Sequence, residues 1–273
     1  MGDDMSLKWI APTWQVPSHV HACMTTRIAG VSSGAYGQID GVDGLNLATH
    51  VGDERARVMI NRGLLRVAGH FPHEPLWLNQ THSTIVHLQT HNEYQHDEPP
   101  PEADAVVLTQ AGQVGVVMTA DCLPVLFASA DGRVVGAAHA GWRGLVDGVL
   151  EETVRVMREQ GARQVQAWLG AAIGAAQFEV GADVLAEFLL KTPSAAGDVR
   201  MHFKPHPEHD NKYLADIYGL ARDRLKALGV LDVSGGEHCT VTEADRFYSY
   251  RRDRITGRMA TLIWMDEPHC AES

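Results

Sequence analysis

Cysteine is scarce in this sequence: Cys23, Cys122, Cys239 and Cys270 are the only four in 273 residues, and no CxxC pair is present. That excludes a disulfide scaffold and fits reduced thiols in a cytoplasm. Positive charge is scarce as well, with 23 Lys and Arg against 34 Asp and Glu and a formal net charge of −11. A general nucleic-acid binder needs a dense basic surface to neutralise phosphates, so that class is excluded and a small-molecule partner is expected. No apolar run is long enough to span a bilayer. The most apolar window, residues 114–130, is interrupted by Asp121 and Pro124 and reads as two buried strands. The first ten residues carry Asp3 and Asp4 where a secretory signal carries Lys or Arg before an apolar core, so a cytoplasmic location is expected.

What is present is the composition of a soluble globular protein: 45% hydrophobic and 21% charged residues, enough to bury a large core. One domain over residues 1–273 is expected, since α/β folds of about 250 residues commonly form a single unit. Alternating or short apolar runs predict strands at 20–25, 84–89, 103–109, 115–118, 124–128 and 133–138, and later at 164–169, 238–242 and 259–264. Asp131-Gly132 supplies a hairpin turn. Helical spacing appears over 53–70, then along one face through Leu145, Val149, Leu150, Val154 and Met157. It returns through Leu214, Ile217, Ala221, Leu225 and Leu228. Residues 92–102 and 191–212 read as surface loops. The whole is a mixed α/β architecture.

Three segments carry chemistry: Asn79-Gln80-Thr81-His82-Ser83, Thr119-Ala120-Asp121-Cys122-Leu123-Pro124 and Ala138-His139-Ala140-Gly141-Trp142-Arg143-Gly144. Two imidazoles and a thiolate suit a borderline-soft cation such as zinc, with copper second, and three protein ligands leave a position for water or substrate. Alone, Cys122 between apolar runs is by default an inert buried thiol. Asp121 disturbs that default, because a buried carboxylate needs a backbone amide, an arginine or a ligating histidine's second nitrogen. Arg143 offers a planar fork for phosphate or carboxylate. Arginine, tyrosine and serine recur between Arg246 and Arg258, either a solvated face or an anion-binding wall. The tract His202, His206, His209 lies in a polar, proline-containing segment and is not expected to bind metal.

These segments resemble the YfiH-like family, also called the laccase-domain or multicopper polyphenol oxidase family. So do Thr25-Thr26-Arg27, Leu45-Asn46-Leu47, Val51-Gly52-Asp53, residues 170–181, Lys212-Tyr213 with Asp216, and the run from Phe247 to Arg252. The resemblance covers nearly the whole chain and implies a layered α/β sandwich with mixed β-sheets flanked by helices, similar to cysteine hydrolases. One departure is Arg27-Ile28-Ala29-Gly30, where the family has a Gly-Gly pair. By resemblance, His82, Cys122 and His139 take the metal-binding and catalytic positions. Arg27, Asn46, Gln80, Asp121, Arg143, Ser249 and Arg252 form the expected substrate-binding set.

The implied activity is purine nucleoside phosphorolysis: adenosine, inosine or methylthioadenosine with phosphate gives free base and ribose 1-phosphate. Arg27, Arg143 or Arg252 would hold the phosphate, and His82 or His139 would assist the departing base. Adenosine deaminase activity is implied too, although no His-x-Glu segment flanks His82 or His139 and Asp121 would have to substitute. The alternatives are a cysteine-dependent amide hydrolase editing peptidoglycan precursors, with Cys122 as nucleophile, and a copper-dependent polyphenol oxidase. A monomer or a homodimer fits the sequence equally well.

Overall fold

The computed structural model describes residues 7–90 and 99–266. Most of the expected loop at 92–102, and Cys270, lie outside the described residues. The elements run β1 (Trp9–Ile10), β2 (Val20–Thr25), β3 (Ile28–Ser32), α1 (Arg55–Gly69), β4 (Val86–Gln89), β5 (Ala105–Leu108), β6 (Val114–Thr119), β7 (Leu123–Ser129) and β8 (Val135–Ala140). Then come α2 (Trp142–Asp147), α3 (Val149–Glu159), β9 (Val165–Leu169), β10 (Glu179–Gly181), α4 (Ala182–Lys191), β11 (Phe203–Pro205) and β12 (Lys212–Ala215). The chain closes with α5 (Ile217–Ala227), β13 (Val233–Gly235), α6 (Tyr250–Asp253) and β14 (Met259–Met265).

Two mixed-sequence sheets stack. One has four strands in the order β1-β2-β14-β6, and the other six in the order β13-β9-β7-β8-β5-β4. The six-stranded sheet is mixed: β4 with β5 and β13 with β9 are parallel, and its other pairs are antiparallel. A third sheet, β10-β12-β11, is small and antiparallel. Side chains alternate across each strand, so both faces of β5 to β8 must be covered. Val117, Ile263 and Met24 of the smaller sheet meet Val106, Leu126, Ala137 and Trp168 of the larger. The opposite residues of the larger sheet, Ala105, Val125, Phe127 and Ala138, pack under Leu150, Val154 and Met157 of α3 and Leu225 of α5. Val116 and Leu262 face Leu65 of α1 on the far side. The layering is helix, sheet, sheet, helix.

Several expected boundaries shift for local reasons. The single helix expected through Leu145 and Met157 is two, because Gly148 at φ 104° ends α2 and begins α3. Leu214 belongs to β12, and α5 starts only after Asp216, whose side chain accepts the Gly219 amide. Part of the expected loop at 191–212 is ordered as β11 and two short 3-10 turns. No strand forms at 238–242. Gly235 and Gly236 turn left-handed at φ 74° and 81°, and the Glu243 carboxylate then takes the Cys239 amide that a ladder would need.

The departure at Ala29 has a conformational consequence. Ala29 sits at φ 70°, a left-handed position that disfavours a Cβ, and the next residue must be glycine because a Cβ there would strike the Gly44 carbonyl. Ala29→Gly relieves roughly 1–2 kcal/mol of left-handed strain while loosening the unfolded chain by up to about 1 kcal/mol. The expected result is a variant more stable by about 0.5–1 kcal/mol, read as a higher midpoint in denaturant at unchanged m-value. An unchanged or lower midpoint would show that the surrounding turn has already absorbed the strain.

Candidate active site

Cys122 ends the short link from β6 of one sheet to β7 of the other, so crossing between layers places it at the start of a central strand. The crossing forces Asp121 to φ 85°, and its carboxylate fixes the turn. One oxygen accepts the Thr240 hydroxyl at 2.6 Å and the other the Arg251 amide at 2.6 Å. His139 enters from β8, opposite Pro124 of β7. His82 sits in the loop before β4, also with positive φ, 62°. Backbone strain of this kind persists only where neighbours hold it.

The neighbour that holds it is Asp104, fully buried at the head of β5. Its carboxylate accepts the amides of Thr81, His82 and Ser83 at 3.1, 3.0 and 2.6 Å and the Ser83 hydroxyl at 2.8 Å. It also lies 2.7 Å from His139 Nδ1, which leaves Nε2 for Cys122. The Cys122 sulfur lies 3.9 Å from His82 Nε2, the two rings meet edge to face at 4.8 Å, and all three potential ligand atoms fall within 4.8 Å of one another. Room for this comes from Gly141, where a Cβ would come within 2.9 Å of the His82 ring and 3.0 Å of the Cys122 sulfur.

Burial by itself raises a thiol pKa, but at Cys122 the charge of His139 and hydrogen bonds from His139 and His82 outweigh it and bring the value down to about 6. Burial would lower His139; the Cys122 thiolate and Asp104 outweigh that and hold it at about 9. Asp104 is pulled well below the usual carboxylate range, its burial being more than offset by His139 and Ser83. A thiolate–imidazolium pair therefore fills the window between about pH 6 and pH 9 in metal-free protein. Alkylation of Cys122 by iodoacetamide, followed by mass spectrometry after metal stripping, is expected to rise with a midpoint near pH 6. A midpoint near the 9.0 of an ordinary thiol would refute the pair.

The three side chains open into a cleft of about 380 Å³, also lined by His50, Gln80, Met118, Tyr250 and Arg258. Arg258 is the only Lys or Arg among the described residues that line it. One guanidinium nitrogen donates to the Thr256 and Gly257 carbonyls, and the side chain forms no ion pair among the described residues. His50 is held toward its neutral form by partial burial and by Arg258 and Arg62.

Residues 21–266 match the family model described as multi-copper polyphenol oxidoreductase laccase. The chain belongs to this YfiH-like family. It is 46% identical over 258 residues to the Escherichia coli purine nucleoside phosphorylase YfiH, covering 94% of this chain and 99% of that protein. Identity to a Haemophilus influenzae purine nucleoside phosphorylase is 45% over 257 residues, with the same coverage. The crystal structure of the Neisseria meningitidis protein NMB0706 superposes with a TM-score of 0.83 at 44% identity, covering 95% of this chain and 99% of that one.

Within this YfiH-like chain, the residues expected to bind substrate are not gathered in one place. Gln80 lines the cleft, yet both atoms of its amide are engaged by the Met118 backbone at 2.8 Å. Asn46 is buried and bonds Ala48, Asp53 and the Arg258 amide. Ser249 caps α6, and Arg252 bonds the Thr240, Val241 and Phe247 carbonyls together with Asp253. Arg27 is buried against the Gly37, Gln38 and Ala244 carbonyls. Arg143 lies over the Trp142 ring at 4.4 Å and does not line the cleft.

Sequence reading passes over Asp104 and His50, and it places Tyr250 and Arg258 only within the run from Arg246 to Arg258, without joining them to the cleft. The one available signal for Asp104 was a lone carboxylate between Ala103 and Ala105 in an apolar run. Among the described residues a second donor group of three exists, Glu179, His206 and His209. His202 stands apart from it, paired with Asp223 at 2.6 Å.

Proposed function

We propose that this protein is a cytoplasmic purine nucleoside phosphorylase that also deaminates adenosine, acting at His82, Cys122 and His139. The observation that carries this reading is one cleft in which the sulfur and two imidazoles face the same space as Arg258, in a chain 46% identical to a phosphorylase. One soft and two borderline donors fit zinc, and copper second; three ligands from the chain leave a position free. Bound there, the metal would supply Lewis acidity. Asp104 fits the carboxylate partner that orients a ligating histidine, since it holds His139 by Nδ1.

In phosphorolysis a phosphate oxygen forms a bond to the anomeric carbon while the carbon–nitrogen bond to the purine breaks, its electron pair passing to the base. Arg258, the one Lys or Arg among the described residues lining the cleft, holds the phosphate against that carbon. His50, kept neutral, offers an N–H to the departing purine, and Tyr250 supplies a ring against its face. Incubation of adenosine and inosine with and without phosphate, followed by chromatography, is expected to give phosphate-dependent adenine and hypoxanthine. Arg258→Ala should lower kcat/KM for phosphate by about 10²-fold. Base release indifferent to phosphate and to Arg258 would sink the reading.

A second reading has specific support. Cys122 held at about 6, His139 and Asp104 form a nucleophile, base and orienting carboxylate, the arrangement a cysteine amide hydrolase uses. Added zinc would abolish that activity and sustain the first.

A further inference from the structure

The four-residue helix α6 stands between two clefts. Tyr250 lines the cleft of Cys122, whereas Arg251, Arg252 and Arg254 line a second, of about 610 Å³, which shares no lining residue with the first. Lys212 of β12 joins them, so four Lys or Arg and one carboxylate, Glu179, surround this space on a chain of net charge −11. Such a local excess of one sign in a concave site focuses the field and attracts anions against the overall charge.

Two of these cations have donors to spare. Arg252 is engaged by Asp253 and three backbone carbonyls, but Arg251 makes a single side-chain hydrogen bond, to the Glu179 carbonyl at 3.0 Å. Arg254 makes no side-chain hydrogen bond or ion pair among the described residues and lies 5.9 Å from the Tyr250 ring centre. A guanidinium fork with free N–H groups matches phosphate oxygens in pairs.

Glu179 does not cancel this charge. Its carboxylate meets His209 at 2.7 Å, His206 at 3.4 Å and Lys212 at 3.9 Å. His206 Nδ1 accepts the amides of Glu208 and His209, so the proton of its neutral ring sits on Nε2, the nitrogen facing Glu179. The group is closed by N–H donors and is poorly disposed to take a cation. Leu214 and Val241 add an apolar lining for an organic moiety.

We propose that this second cleft binds the phosphate of a small phosphate monoester through Arg251 and Arg254. The site adjoins the first: the Arg251 amide donates to Asp121, the residue before Cys122, and Tyr250 is its neighbour on α6.

Isothermal titration of adenosine 5′-monophosphate and of inorganic phosphate into the full-length Arg258→Ala protein tests this, because that substitution removes the cation of the first cleft. Stoichiometric binding that survives Arg258→Ala, weakens tenfold or more on adding Arg251→Ala or Arg254→Ala, and falls with rising salt is the expected result. Unchanged thermal midpoints would show that the arginine variants are folded. Affinity indifferent to both arginines, or no binding in Arg258→Ala, would overturn the site. Tighter binding of the monoester than of phosphate supports an ester ligand; equal affinity overturns that part.

Discussion

Cys122→Ala is expected to lose phosphate-dependent purine release by about 10³-fold or more and to lose bound metal with it. The sulfur is the only anionic donor of its group, with a pKa of about 6, and it lies 3.9 Å from His82 Nε2. Alanine leaves two imidazoles, which bind zinc far more weakly than a mixed sulfur and nitrogen set. The fold should tolerate the change, because Cys122 precedes the first residue of β7, lines the cleft and is only partly buried. Metal analysis, product chromatography and a thermal midpoint on the same preparation separate the effects. Full base release by the alanine variant would remove Cys122 from phosphorolysis.

Asp104→Asn is expected to produce the largest loss of stability, roughly 3–5 kcal/mol. One carboxylate accepts three consecutive amides and a hydroxyl and pairs with His139, all out of solvent. An asparagine amide keeps the shape but turns an NH2 toward groups that are themselves donors. The sign of the pH effect follows from the depressed pKa of Asp104. Its contribution is present above the unfolded carboxylate value and is lost as pH falls through the folded one, so the variant's deficit should be full near neutrality and shrink in acid. A second readout separates positioning from simple loss of fold. With His139 less firmly charged, the alkylation midpoint of Cys122 should rise above about 6 in whatever fraction remains folded. A variant with wild-type stability and an unmoved midpoint would show that Asp104 neither supports the 81–83 loop nor tunes the pair.

The strands were legible because their pattern is strong: β5 to β8 are buried on both faces and read as short apolar runs. The break between α2 and α3 was not, since the apolar face runs on through a glycine whose left-handed turn is a backbone property with no hydrophobic signature. Likewise 238–242 has strand composition, and only the Glu243 side chain taking its amide shows why no ladder forms there. Asp121 was legible as a buried carboxylate in need of partners, yet its partners, Thr240 and Arg251, are remote in the chain.

By itself the sequence determined the chemistry available: scarce thiols, two histidines and a cysteine in small-residue segments, and an excess of acidic over basic residues. Residue type and short-range spacing carry that information, because donor hardness, charge and turn propensity are local properties. Only the tertiary structure decided which groups act together. It brought Asp104 behind His139 and Arg258 beside Cys122, and it engaged Arg27 and Arg252 with backbone carbonyls. An arginine free to bind an anion and one that holds a loop have the same local sequence signature. What distinguishes them is whether buried carbonyls elsewhere in the fold have already claimed the guanidinium.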